Sequence, residues 1–528
     1  MQSKFITIFT LLAFYLFAIN SSISAQVTLG TTEKPIEGAL LQLKNLPQTD
    51  DNNLTNATKG LMMPRVLLTK KYELLPMFSD DLENYNTNKP LIDKEHTGLL
   101  VYNTQANAEE ILCKGMNVWN GTEWQCLNNK SSYTIDCNSV KPKGVYWNEQ
   151  TVNPNQHYLI MDLITKDDDV GKFYHIKTDA VDGISFEGKG LITQSGKQTV
   201  HIPAEGTPTN TRNKYFTITT NSTANPTCSF ILYIVIPQKR ILSLGTGNRA
   251  LHQNSGGGTG TIFNNTLNFG THEESTFRVE TPIIYGFDES HVRVNTLQPY
   301  IAPTDGSKPV DIVFVTYNAD LVSSNNNAAG KLLAEYVRKG GVVIYNNEHM
   351  FSHNSGAPGK FIQDLFGGDA NVWGKENITD GGCLYKLPNY DDIILNGPFG
   401  DVRGMYIGED GCCGDGFDYL PASEIEWSFS SFDHGGAGKG GREDQISGFK
   451  AKNYNLFWCG DGGIDSGNGG DSYTSYPVSL DSEFRPIDKL YGAKSSNRQY
   501  VKNARFVANL FCWAFQQAEF HGINTPTE

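Results

Sequence analysis

Three textures of apolar and polar positions succeed one another along the chain. Residues 26–130 carry short strand-like pieces, at Lys59–Val66, Thr97–Thr104 and Val118–Trp124. In the last of these, Asn120-Gly121 lies between two Trp-bearing flanks, which predicts a hairpin. Cys113 and Cys126 bracket that hairpin and are placed to pair across it. Residues 131–237 place Tyr174, Ile176, Phe186, Leu191, Val200, Ile202, Phe216 and Ile218 in short alternating runs. Gly183, Gly188, Gly190, Gly196, Gly206 and Pro208 punctuate them, predicting an antiparallel β-sandwich. Cys137 lies just before these runs and Cys228 sits in the last strand, so a bridge would tie first strand to last.

Residues 238–528 change period. The apolar strand Arg240–Gly245 is followed by the Gly-rich stretch Gly256–Gly260. Val310–Thr316 is a buried-strand run, and Ala328–Lys339 is helical in period, with Leu332, Leu333, Tyr336 and Val337 on one face. Gly340-Gly341 closes that helix, and Val342–Tyr345 is the next strand. This strand–helix–strand order predicts a βαβ unit in a parallel sheet. Leu456–Trp458 is a further short strand, and Asn503–Phe520 a final amphipathic helix.

The N-terminus adds an expectation about destination. Lys4 is the sole charge before Glu33, Phe5–Ile19 is almost continuously apolar, and Ser21, Ser22, Ile23, Ser24 and Ala25 are small or short. That order reads as a secretory signal peptide over residues 1–25, with Gln26 the expected mature N-terminus. The next apolar run, Phe230–Ile236, is strand-length and cannot span a bilayer. The expected mature chain therefore has no transmembrane segment and is cell-surface or extracellular, or periplasmic. The formal net charge of −14 argues against nucleic acid as a partner. An oxidising compartment makes disulfides the default for the nine cysteines, and the odd number leaves at least one thiol over.

The elements KGLMMPR (Lys59–Arg65), TGLLVYNT (Thr97–Thr104) and WNGTEW (Trp119–Trp124) resemble a module of exported bacterial surface proteins, similar to the base of phage tail-fibre-like proteins. The resemblance implies a structural or assembly role. Tyr72–Glu95 departs from it as a longer polar insertion. The pattern Gly183–Phe186, Gly196–Val200 and Gly206–Pro208 resembles an Ig-like repeat of such proteins, implying a spacer or adhesive module. Asp311–Asn318, Leu332–Asn346 and Asn503–Asn524 resemble the class I glutamine-amidotransferase-like fold, especially its trehalose-utilisation-type relatives, implying a flavodoxin-like α/β domain.

That family needs a Cys on the turn after the strand Val342–Tyr345, with a His base and an acidic partner. Here the turn reads Asn346, Asn347, Glu348, His349, so the nucleophile carries over to no residue. Glu348, His349 and His353 remain as candidate catalytic residues, since ligands of open α/β sheets bind beyond the carboxyl ends of strands. His349 and His353 would stand one turn apart on a helix. Gly256–Gly260 lacks the spacing and Lys of a phosphate cradle and reads as a flexible loop.

Two acidic Gly-rich loops, Gly408–Asp418 and Asp461–Asp471, read either as solvated loops or as oxygen donors for calcium, through Asp410, Asp415, Asp418, Asp461, Asp465 and Asp471. Cys412 and Cys413 would pair with Cys383 and Cys459, leaving Cys512 as the free thiol.

The expected organisation is therefore multidomain. A signal peptide (1–25) precedes a small β-rich module (26–130), an Ig-like β-sandwich (131–237) and an α/β flavodoxin-like, amidotransferase-like domain (238–528). The expected function is binding or structural, with other surface proteins or glycans as partners and the α/β domain catalytically degenerate. The alternative is an extracellular hydrolase acting on carbohydrate or peptide.

Overall fold

The computed structural model describes residues 27–47, 55–107, 110, 112–127, 130–253, 256–288, 290–317, 319–321, 324–346, 357–367, 373–377, 382–410, 414–418, 420–432, 446–468, 470, 472–496 and 498–525. The expected signal peptide lies outside them. The chain divides into two units: residues 1–133 with 165–174 and 190–198, and residues 134–164, 175–189 and 199–528. The protein is multidomain and β-rich, with several separate sheets.

In the first unit, β1 (Val27–Leu29) and β2 (Leu41–Leu43) form a two-stranded parallel ribbon. A four-stranded sheet follows, from β3 (Arg65–Val66), β4 (Leu100–Asn103), β5 (Gly115–Trp119) and β6 (Trp124–Cys126). The β5–β6 hairpin forms with Trp119 opposite Trp124. Its loop has four residues, because Asn120 Oδ1 accepts from the amides of Thr122 and Glu123 at 2.9 and 2.8 Å and stabilises the wider turn. The Cys113–Cys126 disulfide staples this region.

The polar insertion contains helix α1 (Leu82–Glu95), N-capped by Asp81, whose side chain accepts from Asn84 N. The helix closes over the hairpin. Tyr85 and Ile92 are buried with Trp119 and Trp124, and Trp119 Nε1 donates to Asp93 O at 2.8 Å.

The second unit begins with most of a seven-stranded sheet of β7 (Thr134–Lys143), β8 (Tyr158–Thr165), β9 (Phe173–Thr178), β10 (Ile184–Leu191), β11 (Gly196–Gly206), β12 (Lys214–Thr220) and β13 (Cys228–Leu232), some ends of β8–β11 counting with the first unit. The spatial order is 13-12-9-10-11-8-7. Its edge strands β7 and β13 are joined by the Cys137–Cys228 disulfide, so the sheet turns back on itself around Phe186, Phe216 and Phe230. The β7–β8, β9–β12, β10–β11 and β12–β13 pairings are antiparallel.

The second sheet of this unit is built from β14 (Arg240–Leu244), β15 (Ile283–Phe287), β16 (Ile312–Val315), β17 (Val342–Asn346), β18 (Ile425–Phe429), β19 (Gly448–Ala451) and β20 (Leu456–Cys459). The order is 15-14-16-17-20-19-18. Strands 15, 14, 16, 17 and 20 pair in parallel, giving the sequential order 2-1-3-4-5; β19 and β18 extend the edge antiparallel.

Parallel strands covered on both faces read as near-continuous apolar runs, and the central strands here do so. Ile241, Ile312, Phe314, Ile344 and Phe457 face a core shared with α6 (Asn503–Phe520). Leu242, Val313, Val315, Val343, Tyr345 and Trp458 face the opposite core. There they meet residues of α3 (Val294–Ile301), α4 (Ser324–Arg338) and α5 (Ala357–Phe366), the short α2 (Thr259–Asn264) lying on the α6 side.

Helix α6 is enclosed almost all round, and two fully buried amides on it take the place of backbone partners. Asn503 accepts from Gly408 N and donates to Gly408 O and Ile464 O, each at 2.8 Å. Asn509 accepts from Phe399 N at 2.9 Å and donates to Gly400 O at 3.0 Å. Cys512 on the same helix is a buried free thiol, and burial holds its pKa well above the usual thiol value.

Candidate functional site

The carboxyl ends of the parallel strands converge on a buried cluster of charged and polar side chains. Thr316 follows β16, Asn346 ends β17, Asp461 and Asp465 follow β20, and Arg249 follows β14; Thr316, Asn346, Asp461 and Asp465 have no measurable exposure. The connections after strands 1 and 3 of the order 2-1-3-4-5 leave to opposite faces of the sheet here, which is where doubly wound sheets open a crevice. The Arg249 guanidinium sits 4.3 Å from the centre of the Tyr317 ring and 3.0 Å from Asp410 Oδ2. Ser466 Oγ also donates to Asp410. Asp461 accepts from Tyr385 Oη and, at 2.7 Å, from Gly463 N. Thr316 Oγ1 donates to Asp465 Oδ2 at 3.0 Å.

Burial dominates the electrostatics. Desolvation raises the Asp465 carboxyl to about 7, against the attraction of Arg249. Desolvation likewise raises Asp461 to about 6, offset in part by its hydrogen bonds from Tyr385 and Gly463. Two carboxyls that exchange protons near neutrality, beside an Arg at a sheet switch point, mark a functional-site candidate.

Four acidic side chains of the two loops are shielded from solvent. Asp410, Asp415, Asp461 and Asp465 are all buried. The glycines around them reflect close packing: a Cβ on Gly460 would lie 2.2 Å from Asp415 O, and one on Gly467 2.3 Å from Gly257 O. The stretch read as a flexible loop is also packed. Gly258 caps α2, Gly258–Gly260 are buried, and Thr259 Oγ1 donates to Asp465 O at 2.8 Å.

Three of the calcium candidates, Asp410, Asp461 and Asp465, accept hydrogen bonds from protein donors. Among the described residues no group of three or more His, Cys, Asp or Glu gathers to hold a metal. The Asp418 side chain, Asp471, Cys412, Cys413 and the candidates Glu348, His349 and His353 lie outside the described residues. Cys383 and Cys459 are both buried, Cys459 ending β20 beside Asp461.

Sequence reasoning did not single out Arg249, Thr316 or Tyr385. The available signal for Arg249 was a lone cation in a Gly-rich turn directly after an apolar strand. Tyr385 comes from a separate strand, Leu384–Lys386, distant in sequence from the residues it meets.

A second candidate lies in the first unit and is apolar. On the β1–β2 ribbon Val27, Leu29, Leu41 and Leu43 are all exposed, with Ile36 and Leu40 between them. Leu61 and Met62 are 67% and 82% exposed and border a 510 Å³ groove that includes Met63, Arg65, Tyr102 and Met116. A two-stranded ribbon of three-residue strands has no independent stability in water, and exposed apolar clusters of this kind mark interaction surfaces.

Residues 28–143 match the family model described as a phage tail like trimerisation region. No curated protein matches the chain. A solved structure, a Bacteroides ovatus GH5 xyloglucanase in complex with a XXXG heptasaccharide, is 10% identical over 44% of this chain and 61% of that chain, so the match spans less than two thirds of its length. Its TM-score of 0.15 carries no argument about fold or activity.

Proposed function

We propose that this is an exported structural and binding protein that assembles as a trimer through its N-terminal module and presents its larger unit for recognition of glycans or other surface proteins. The observation that carries the reading is the exposed apolar surface of β1, β2 and Leu61–Met62, coinciding with the match at residues 28–143. Three copies meeting on that surface would bury the ribbon that cannot stand alone. The two disulfides and the absence, among the described residues, of a helix long and apolar enough to cross a membrane are compatible with export.

The disulfide-closed sheet of residues 134–232 serves as the Ig-like spacer in this reading. The 2-1-3-4-5 order of the second sheet supports a flavodoxin-like domain related to the amidotransferase-like fold, whose elbow position is occupied by Asn346 rather than a nucleophile. The domain is accordingly taken as catalytically degenerate, its buried carboxylates organising loops at the sheet edge.

Sedimentation equilibrium of the secreted chain tests assembly. A mass three times that of the chain is expected, with Leu40→Asp and Met62→Asp shifting it to monomer while the near-ultraviolet signal of the larger unit is kept. A wild-type monomer at micromolar concentration would refute the reading. N-terminal sequencing of the secreted protein should begin at Gln26.

A further inference from the structure

The outer face of the β12–β13 pair is a second surface on the larger unit, and its chemistry differs from that of the N-terminal module. Phe216 and Ile218 on β12 and Phe230 and Leu232 on β13 point into the core, so the alternate residues point out. Tyr215 stands opposite Ile231 across the strands, and Tyr233 extends the same face at the diagonal position. Tyr215 is 69% exposed, while Ile231 and Tyr233 are each about one-third exposed. These side chains floor a groove of 460 Å³, within the range of small-ligand sites.

The facing wall is the turn Asp391–Pro398, with Gln516 of α6 at one end and Asn213 at the other. This wall is preformed. Asn509 accepts from Phe399 N and donates to Gly400 O, tying the turn to α6, and Gly397 packs so close that a Cβ there would lie 2.5 Å from Asn509 Oδ1. Asp392 Oδ1 accepts from Ile394 N at 2.8 Å, and Asn396 Nδ2 donates to Asp391 at 3.2 Å.

The facing wall is net acidic. Arg403 is shared between Asp391 and Asp401, at 2.9 and 2.7 Å, and Lys450 between Asp392 and Glu426. The groove therefore disfavours an anionic ligand. It offers two aromatic faces, whose negative quadrupoles attract polarised C–H edges, and the amides of Asn213, Asn396 and Gln516, each able to donate and accept. A ligand complementary to both has flat C–H faces, carries hydroxyls that donate and accept at its rim, and bears no negative charge to be repelled by the acidic wall.

We infer that the groove between the outer face of β12–β13 and the turn Asp391–Pro398 binds a neutral glycan, its sugar rings stacked on Tyr215 and Tyr233. The inference names a partner class within the proposed binding role and places it away from the sheet edge that holds Asp461 and Asp465. Its test does not depend on assembly, because the monomeric Met62→Asp variant keeps the groove.

The probes are four neutral hexasaccharides (β-1,4-glucan, β-1,4-mannan, α-1,4-glucan and β-1,4-galactan), with hexagalacturonate as a charged control, titrated calorimetrically into the full secreted chain. Binding of at least one neutral probe is expected, with hexagalacturonate weaker. Tyr215→Ala should weaken that binding about tenfold or more, a loss of about 1.4 kcal/mol, and Tyr215→Phe should retain it. Tyr215 is exposed, so an unchanged thermal midpoint will show that Tyr215→Ala still folds. Failure of all four neutral probes, binding untouched by Tyr215→Ala, or a preference for hexagalacturonate would each overturn the inference. So would burial of Tyr215 against a second protein chain, seen as loss of its accessibility to surface labelling. Retained binding by Met62→Asp supports the groove independently of trimer formation.

Discussion

Replacing Asp465 with Asn removes a buried charge while leaving an oxygen for Thr316, whose hydroxyl donates to Asp465 Oδ2 at 3.0 Å. Burial raises the carboxyl from its ordinary 3.8 to about 7; Arg249, Thr316 and the Asn346 amide offset part of the effect, and Asp461 adds to it. At about 1.4 kcal/mol per pH unit, a rise of that size corresponds to roughly 4 kcal/mol. The native state holds this proton more tightly than the unfolded chain. The associated stability is therefore fully present below about pH 4 and is lost as pH rises through about 7. Asp461, raised by burial to about 6, contributes in the same direction over a lower window. The wild-type larger unit should accordingly be less stable at pH 8 than at pH 4, the loss falling between about pH 4 and pH 7. Asp465→Asn should flatten that decline and be more stable at pH 8 by about 2–4 kcal/mol, the lower figure allowing for relaxation and water entry around the charge. Thermal unfolding followed by tryptophan fluorescence, with Trp458 and Trp513 both buried in this unit, measures the difference at the two pH values. A variant less stable than wild type at pH 8, or a wild type whose midpoint does not fall across this range, would refute the reasoning.

Three further outcomes follow from the same packing. Asn503→Ala leaves Gly408 N and the carbonyls of Gly408 and Ile464 without their buried partner, and should cost about 3 kcal/mol in the larger unit, read by the same thermal assay. Joint replacement of Cys137 and Cys228 by Ser opens a covalent closure spanning 91 residues, and should lower stability by about 2–5 kcal/mol and expose residues 134–232 to limited proteolysis. Trp119→Ala removes the centre of the first unit's core and the bond to Asp93 O, and should cost about 3–5 kcal/mol there while leaving the larger unit's transition in place.

Period was the feature most directly readable along the chain. The apolar runs read at Val310–Thr316, Val342–Tyr345 and Leu456–Trp458 form strands at Ile312–Val315, Val342–Asn346 and Leu456–Cys459, and the final helix lies where its pattern placed it, at Asn503–Phe520. The Asn120-Gly121 hairpin and both disulfide pairings followed from local turn chemistry and from cysteines flanking strand patterns. The acidic loops were different. Composition presented Gly408–Asp418 and Asp461–Asp471 as solvated or calcium-binding, because Asp and Gly together ordinarily mark exposed loops. The burial of Asp410, Asp461 and Asp465 depends on partners far away in the chain: Arg249 reaches Asp410 across 161 positions, Tyr385 reaches Asp461 across 76, and Thr316 reaches Asp465 across 149. No local window contains such pairs. They meet because the 2-1-3-4-5 winding carries the ends of separate strands to one edge, where low polarity rather than residue type raises two aspartates toward neutral pH.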